Sequence, residues 1–303
     1  MVNSFYVNAE RMQSFGFILV ALLVAGLFNL QSDFVPLSWQ IGLLAVLVIL
    51  LGLPHGALDP WVAEQIGIYN SFSQQSLFAF GYLLISAAVV AIWMVMPVVS
   101  LLVFLIISAW HFSGDWAKSL SQPVRLGLGG LLLLMPIGFH PEEVARLFSA
   151  LSGEGGGILA YNLALAPFAL VGIMLFIVMF ALFKKQWRTA AESGALFILA
   201  YSTPPLLYFI VYFCLLHSPR HLLGIYQNAG QVHYAKLTKM LVVFTLATLL
   251  LLGALAWFWS DLSTEALVLR LVFIGLAALT VPHMMLVALQ HIKQSRKTPS
   301  SSL

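Results

Sequence analysis

Long apolar runs joined by short polar links alternate along almost the whole chain. Because a helix that crosses a bilayer needs about 20 mostly apolar residues, each run is a candidate membrane span. The predicted spans lie near residues 14–30, 39–57, 76–96, 98–114, 124–139, 158–183, 192–223, 237–259 and 264–291. The pattern predicts an all-α fold, a polytopic transmembrane bundle of about eight to ten helices. We expect one integral membrane domain over residues 1–303, with a polar tail at residues 294–303.

The run at residues 192–223 is too long for one straight span and too short for two full ones. Thr203-Pro204-Pro205 lies near its centre. A pair of prolines cannot sit inside an uninterrupted helix, because proline lacks an N–H and clashes with the preceding turn. We therefore expect a proline-broken or re-entrant segment made of two short helices.

The basic residues indicate how the spans are oriented. Lys and Arg are enriched in cytoplasmic loops, and here they occur at residues 11, 118, 125, 184, 185, 188, 236, 239, 293, 296 and 297. If all of these loops lie in the cytoplasm, the 192–223 segment must enter and leave the membrane on the same side. The same arrangement places both termini in the cytoplasm.

Composition excludes several classes of protein. Only 8% of the residues are charged and the mean hydropathy is +0.98, whereas soluble domains carry about 25% charged residues. The net charge of +3 comes from bases in short loops, which is not the basic patch of a nucleic-acid-binding protein. The single cysteine, Cys214, excludes an intramolecular disulfide and a cysteine-based zinc site.

Five of the eight histidines are predicted to lie at similar depth, near the cytoplasmic ends of their spans. These are His55, His111, His217, His221 and His283. Ionisable residues inside membrane spans are costly and are candidates for function, and imidazole is a common ligand of iron, copper and zinc. The sequence therefore predicts a histidine metal site, although any one of them alone could be an ordinary interfacial residue.

Two local patterns bear on this site. His217 and His221 are four residues apart and would share one face of a helix, but Pro219 is expected to push Ser218 out of helical geometry. The pair could then straddle a helix break and still converge on one ion.

Carboxylates follow two of the histidines at the same spacing. Asp59 follows His55 by four residues and Asp115 follows His111 by four. Each could orient a ligand imidazole by accepting its second N–H, or could be interfacial or cap a helix, and Arg220 could pair with one of them. The remaining histidines are not expected to be ligands: His140 is predicted in a solvated loop on the opposite side, His233 in a polar loop and His291 at the interface.

Four motifs in order resemble a known family. They are Pro-His-Gly-Ala-Leu-Asp at 54–59, Trp-His-Phe at 110–112, His-Ser-Pro-Arg-His at 217–221 and Pro-His at 282–283. Together they resemble the Brp/Blh family of β-carotene 15,15′-dioxygenases, bacterial and archaeal membrane enzymes that supply retinal to rhodopsins. The resemblance extends from about residue 40 to residue 292 and implies a multi-pass protein of a prokaryotic cytoplasmic membrane.

The resemblance also implies a reaction and a site. The reaction is cleavage of the central double bond of all-trans-β-carotene by O₂ to two molecules of all-trans-retinal, with a functional link to a microbial rhodopsin. The implied catalytic centre is Fe(II) held by His55, His111, His217 and His221, with His283 as an orienting residue or a fifth ligand. Aromatic residues expected along a substrate tunnel are Trp110, Phe112, Trp116, Tyr208, Phe209, Tyr212, Phe213 and Tyr226.

Two other hypotheses about the function stay open. A di-iron desaturase or hydroxylase would carry several HxxxH and HxxHH boxes, whereas this chain has one HxxxH and no HxxHH. A non-catalytic carotenoid or retinal carrier, or a rhodopsin-assembly protein, would need no metal and would leave the histidine convergence unexplained. Iron content distinguishes all three.

Overall fold

The structure is a computed structural model that describes residues 2–31 and 35–297. The side chains of residues 2–7, His55 and residues 294–297 lie outside this description. Residues 298–303 of the predicted polar tail also lie outside the described residues. All regular structure in the described part is helical, which confirms the all-α prediction.

Fifteen α-helices follow one another along the described chain. They are α1 (Val2–Leu30), α2 (Leu37–Leu47), α3 (Leu53–Gly56), α4 (Asp59–Gln65), α5 (Phe72–Val95), α6 (Pro97–Phe112), α7 (Gln122–Phe139), α8 (Pro141–Ser152), α9 (Glu154–Leu163), α10 (Pro167–Phe183), α11 (Trp187–Ser202), α12 (Pro205–Tyr212), α13 (Ser218–Ala229), α14 (Tyr234–Phe258) and α15 (Thr264–Lys297). Two π-helical turns (Val48–Gly52 and Phe213–His217) and two 3-10 turns (Ser113–Asp115 and Gln231–His233) connect some of them.

The helices form a polytopic membrane bundle, as the apolar runs predict. Among the described residues, seven helices are long and apolar enough to cross a membrane. The pair α9 and α10, bent by 58°, makes an eighth if it is one span. Within their most apolar stretches, only 6% of the residues of α5 and none of those in the Gln231–Phe258 segment are buried inside the protein. These two helices therefore present most of their surface to lipid.

The predicted break in the 192–223 segment is confirmed, but its two arms differ in length from the prediction. The first arm, α11, ends at Ser202, and the second begins at Pro205. The second arm continues through the Phe213–His217 turn to Ala229, a length of 25 residues that can span a membrane. The length of the second arm was underestimated because the polar residues Gln227 and Asn228 interrupt the apolar pattern after residue 223.

Pro219 does not break this second arm, and the prediction for Ser218 is wrong. Ser218 has φ −63° and ψ −47°, which is right-handed helical geometry. Pro219 stands at the start of α13, where the lack of an N–H is tolerated. In a regular helix the N–H of residue 219 would bond to the carbonyl of Leu215. Here Gln13 Nε2 of α1 donates to that carbonyl at 2.6 Å.

A second π-helical turn, Val48–Gly52, precedes Pro54 and His55 in the same way. The two π-helical turns lie against each other: a Cβ on Gly52 would come within 2.7 Å of the ring of Phe213. Ser218 Oγ also donates to the carbonyl of Leu51. Glycine at position 52 thus allows the two histidine-bearing segments to pack closely.

Candidate metal centre

Four imidazole rings from three helical segments lie together. His111 belongs to the last turn of α6, and His217 ends the Phe213–His217 π-helical turn. His221 lies in α13 and His283 lies in α15. The ring centroids are 4.6 Å apart for His111 and His217, 5.0 Å for His111 and His283, and 5.2 Å for His221 and His283. We call these four residues the histidine cluster.

His55 belongs to the predicted set, but its side chain lies outside the described ones. Its backbone lies in α3, which packs against α13, α14 and α15. Four of the five histidines that the sequence predicted at one depth are therefore brought together, and the backbone of the fifth lies beside the helices that carry His221 and His283.

Asp115 holds His217. The 3-10 turn after α6 brings its carboxylate to Nδ1 of His217, at 3.1 Å from Oδ1 and 3.0 Å from Oδ2. Tyr212 Oη donates to Oδ2 at 2.6 Å. We call Tyr212, Asp115 and His217 the Asp115 triad. The sequence predicted that Asp115 could orient His111, its neighbour on the helix, whereas its described imidazole partner comes from 102 residues further along the chain.

Asp59 holds His283. Oδ1 of Asp59, a residue that is 1% exposed, accepts from Nδ1 of His283 at 2.7 Å. Oδ2 accepts from Tyr82 Oη at 2.8 Å. We call Tyr82, Asp59 and His283 the Asp59 triad. The sequence proposed His55 as the partner of Asp59, and the partner that the structure describes is His283.

These carboxylates determine which ring nitrogen can bind a metal. When Nδ1–H donates to a carboxylate, the lone pair of the neutral imidazole is on Nε2. This applies to His217 and His283. The Nε2 atoms of His217, His221 and His283 are all buried from solvent.

The cluster fits a metal bound by imidazoles in its donor chemistry and spacing. A metal–nitrogen bond of about 2.1 Å puts a ring centroid about 3.2 Å from the metal, so adjacent ligands have centroids about 4.6 Å apart at 90° and about 5.3 Å apart at the tetrahedral angle. The three separations above fall within this range. Among the described side chains, no three His, Cys, Asp or Glu residues form a group already arranged to hold an ion, and the side chain of His55 is not among them.

A large apolar cavity adjoins the cluster. Its volume is about 580 Å³. His111 and His283 line it, together with Asp59 and Tyr82. Leucine and phenylalanine make up more than half of the remaining lining residues. A buried volume of this size and chemistry suits an apolar ligand, and it places that ligand against imidazole rings.

The family model described as "Beta-carotene 15,15'-dioxygenase" matches residues 46–291. The chain belongs to this family. It is 34% identical over 250 residues to "Beta-carotene 15,15'-dioxygenase" of an uncultured marine bacterium (66A03), covering 80% of this chain and 90% of that protein. It is 25% identical over 310 aligned positions to "Probable beta-carotene 15,15'-dioxygenase Blh" of Halobacterium salinarum, covering 88% and 89%. No solved structure matches the chain.

The α1 helix of this dioxygenase-family chain lies outside the matched region, yet it reaches the histidine cluster through a buried charge network. Glu192 Oε1 accepts from Arg220 Nη2 at 2.5 Å, from Arg188 Nε at 3.0 Å and from Ser14 Oγ of α1 at 2.5 Å. Arg220 was expected to pair with an aspartate carboxylate. It instead forms its ion pair with Glu192 and donates from Nη1 to the backbone carbonyl of Asp115 at 2.7 Å.

Three polar residues support the cluster in ways that the sequence did not predict, although Tyr212 was expected along the substrate tunnel. Tyr82, Tyr212 and Glu192 lie on other helices, 23, 97 and 28 residues from the side chains that they contact. Of the three, only Glu192 could have been identified from the sequence. A carboxylate in an apolar run is costly, which makes it a candidate for a functional role.

The described contacts of His140 and His233 lie outside the histidine cluster, and the prediction for His140 needs one correction. His140 is not in a solvated loop: its Nε2 lies 2.9 Å from the carbonyl oxygen of Ala200, and its side chain is 21% exposed. The ring of His233 lies 5.0 Å from that of Trp61.

The predicted aromatic lining is partly found. Phe112, Tyr208, Phe209 and Phe213 line the cavity. Trp110 is 61% exposed and lies on the outer surface of the bundle.

Proposed function

We propose that this chain cleaves all-trans-β-carotene at its central double bond with O₂. One C40 polyene and one O₂ give two molecules of the C20 aldehyde retinal, so each half of the broken double bond gains one oxygen atom. The observation that carries the proposal is the position of His111 and His283, two members of the histidine cluster, on the wall of the 580 Å³ apolar cavity. The family to which the chain belongs supports the same reaction.

Fe(II) is the proposed cofactor, held by His55, His111, His217 and His221. Neutral imidazoles suit iron, and when bound the iron supplies the redox chemistry with O₂ that side chains cannot perform. In this proposal Asp115 keeps His217 in the tautomer that presents Nε2. Burial of His217 and His283 limits the access of water to the cluster.

The protein's share of the reaction is to bind and position the polyene. β-Carotene is apolar and partitions into a bilayer, so a cavity inside a membrane bundle can receive it directly. The stacked rings of Phe209 and Phe213, 5.1 Å apart, offer a flat surface to a polyene where they line the cavity. Central cleavage then depends on holding the middle of the β-carotene polyene against His111 and His283.

We infer that the protein lies in the cytoplasmic membrane of a prokaryote with both termini in the cytoplasm. The multi-pass bundle and the basic loops support this orientation. A microbial rhodopsin is the proposed consumer of the retinal.

Retinal formation in a bacterium that makes β-carotene tests the proposal. Expression of the chain should deplete the orange carotenoid and produce retinal, and His111→Ala should abolish both effects. His233→Ala is the matched control, because His233 is exposed and lies outside the histidine cluster. Unchanged carotenoid in iron-replete cells with the protein in the membrane would favour a carrier instead.

A further inference from the structure

His283 is held in the same way as His217. In each triad a tyrosine hydroxyl donates to one aspartate carboxylate while that carboxylate accepts from Nδ1 of a histidine. The His283–Asp59 distance is 2.7 Å and the His217–Asp115 distance is 3.0 Å. The exposures of the two histidines are 3% and 2%. The two imidazoles are thus alike in orienting partner, tautomer and burial.

The two triads are built from unrelated parts of the chain. Asp59 begins α4 and meets a histidine 224 residues later. Asp115 ends a 3-10 turn and meets a histidine 102 residues later. Both aspartates follow a histidine by four residues, but their imidazole partners come from different later helical segments.

A buried His–Asp pair can also be purely structural, and two observations distinguish His283 from that case. Its ring lies at ligand spacing from two other imidazoles, those of His111 and His221. It lines the apolar cavity, where a carboxylate–imidazole pair is costly. A carboxylate on Nδ1 is the support that metal-ligating histidines commonly have.

We infer that His283 is itself a ligand of the iron centre, held by Asp59, with Tyr82 as a positioning residue. The inference rests on the proposed function and extends its ligand set from four histidines to five. Asp59 then acts on the metal through His283, as Asp115 acts through His217.

A thiolate at position 283 provides the direct test. Purified His283→Cys protein in detergent is titrated with Co(II), and near-ultraviolet absorption is recorded. Coordination by residue 283 should produce a thiolate-to-cobalt charge-transfer band, because a thiol that binds a metal is deprotonated. The wild type, whose single cysteine Cys214 is buried, should bind Co(II) without this band.

His140→Cys is the matched control and should also lack the band. His140 follows Gly129 by 11 residues, about 16 Å along the helix axis. Gly129 packs against the backbone of Ala109 and Ser113, the residues two positions before and after His111. Co(II) bound to His283→Cys without a charge-transfer band would overturn the inference.

A second pair of variants keeps the test decisive if the cysteine variant does not fold. Asp59→Asn and Asp115→Asn should each lower the Co(II) affinity about 10- to 100-fold, the usual effect of removing the support of a metal ligand. Asp261→Asn, at an exposed position, should leave it unchanged. An Asp59→Asn variant with wild-type affinity beside a weakened Asp115→Asn would refute the role of His283.

The outcomes separate this inference from the proposed function. A wild type that binds iron and forms retinal, combined with a cobalt complex of His283→Cys that lacks the band, refutes the fifth ligand alone. A wild type that binds neither Fe(II) nor Co(II) refutes both.

Discussion

Glu192 is the acceptor that holds three helices together beside the histidine cluster. Its side chain is 2% exposed, and its partners are Ser14 of α1, Arg188 on its own helix and Arg220 of α13. Arg220 in turn holds the carbonyl of Asp115. We predict that Glu192→Ala destabilises the protein and weakens metal binding together.

The size of the stability loss in Glu192→Ala follows from the arginine charge that would remain without its partner. Removing one partner of a buried ion pair typically costs about 3–5 kcal/mol, because the other charge remains buried without compensation. Arg220, with a side chain 15% exposed, would be that charge. Glu192→Gln keeps the volume and an acceptor oxygen, so we expect a smaller loss of about 1–3 kcal/mol.

Unfolding of the detergent-solubilised protein measures these losses, and Co(II) titration of the same samples measures the effect on the cluster. Glu154→Gln is the control, since Glu154 is exposed. A Glu192→Ala variant with wild-type stability would refute the argument that this network ties α1 to α11 and α13. Lost stability with unchanged Co(II) affinity would refute its connection to Asp115.

Two further predictions concern helix contacts around the cluster. Gln13→Ala should destabilise the protein by about 1–3 kcal/mol, because it leaves a buried carbonyl without its donor. Met12→Ala, on the same helix but 74% exposed, should have little effect on the unfolding free energy in the same assay. Gly129→Ala should reduce thermal stability and Co(II) affinity, because its Cβ would fall on the carbonyl of Ala109 beside His111, and overpacking costs about 1–3 kcal/mol. A Gly129→Ala protein that melts and binds Co(II) like the wild type would contradict that close approach.

The fold was largely predictable because membrane helices depend on local sequence. Every backbone polar group in a bilayer must be satisfied within its own segment, so apolar length alone indicated most of the spans. Proline effects were less predictable. Pro204 and Pro205 break the helix as expected, whereas Pro219 does not, because the π-helical turn before it and Gln13 accommodate the missing bond.

The candidate site was predictable in its histidines but not in their partners. Motif spacing pointed to His111, His217, His221 and His283, and these rings do lie together. The same spacing suggested helix-neighbour carboxylates as supports. The aspartates instead reach histidines more than a hundred residues away, and such pairings depend on how the helices pack rather than on local sequence.

Metal removal and reloading of the purified protein tests the central claim most directly. The protein is stripped with a chelator, reloaded with Fe(II) without oxygen, mixed with β-carotene in detergent and then exposed to O₂. We predict one bound iron per chain and two molecules of retinal for each β-carotene consumed, with none formed by the stripped protein. Retinal formed equally well by stripped protein, or iron-loaded protein that leaves β-carotene intact, would contradict the account.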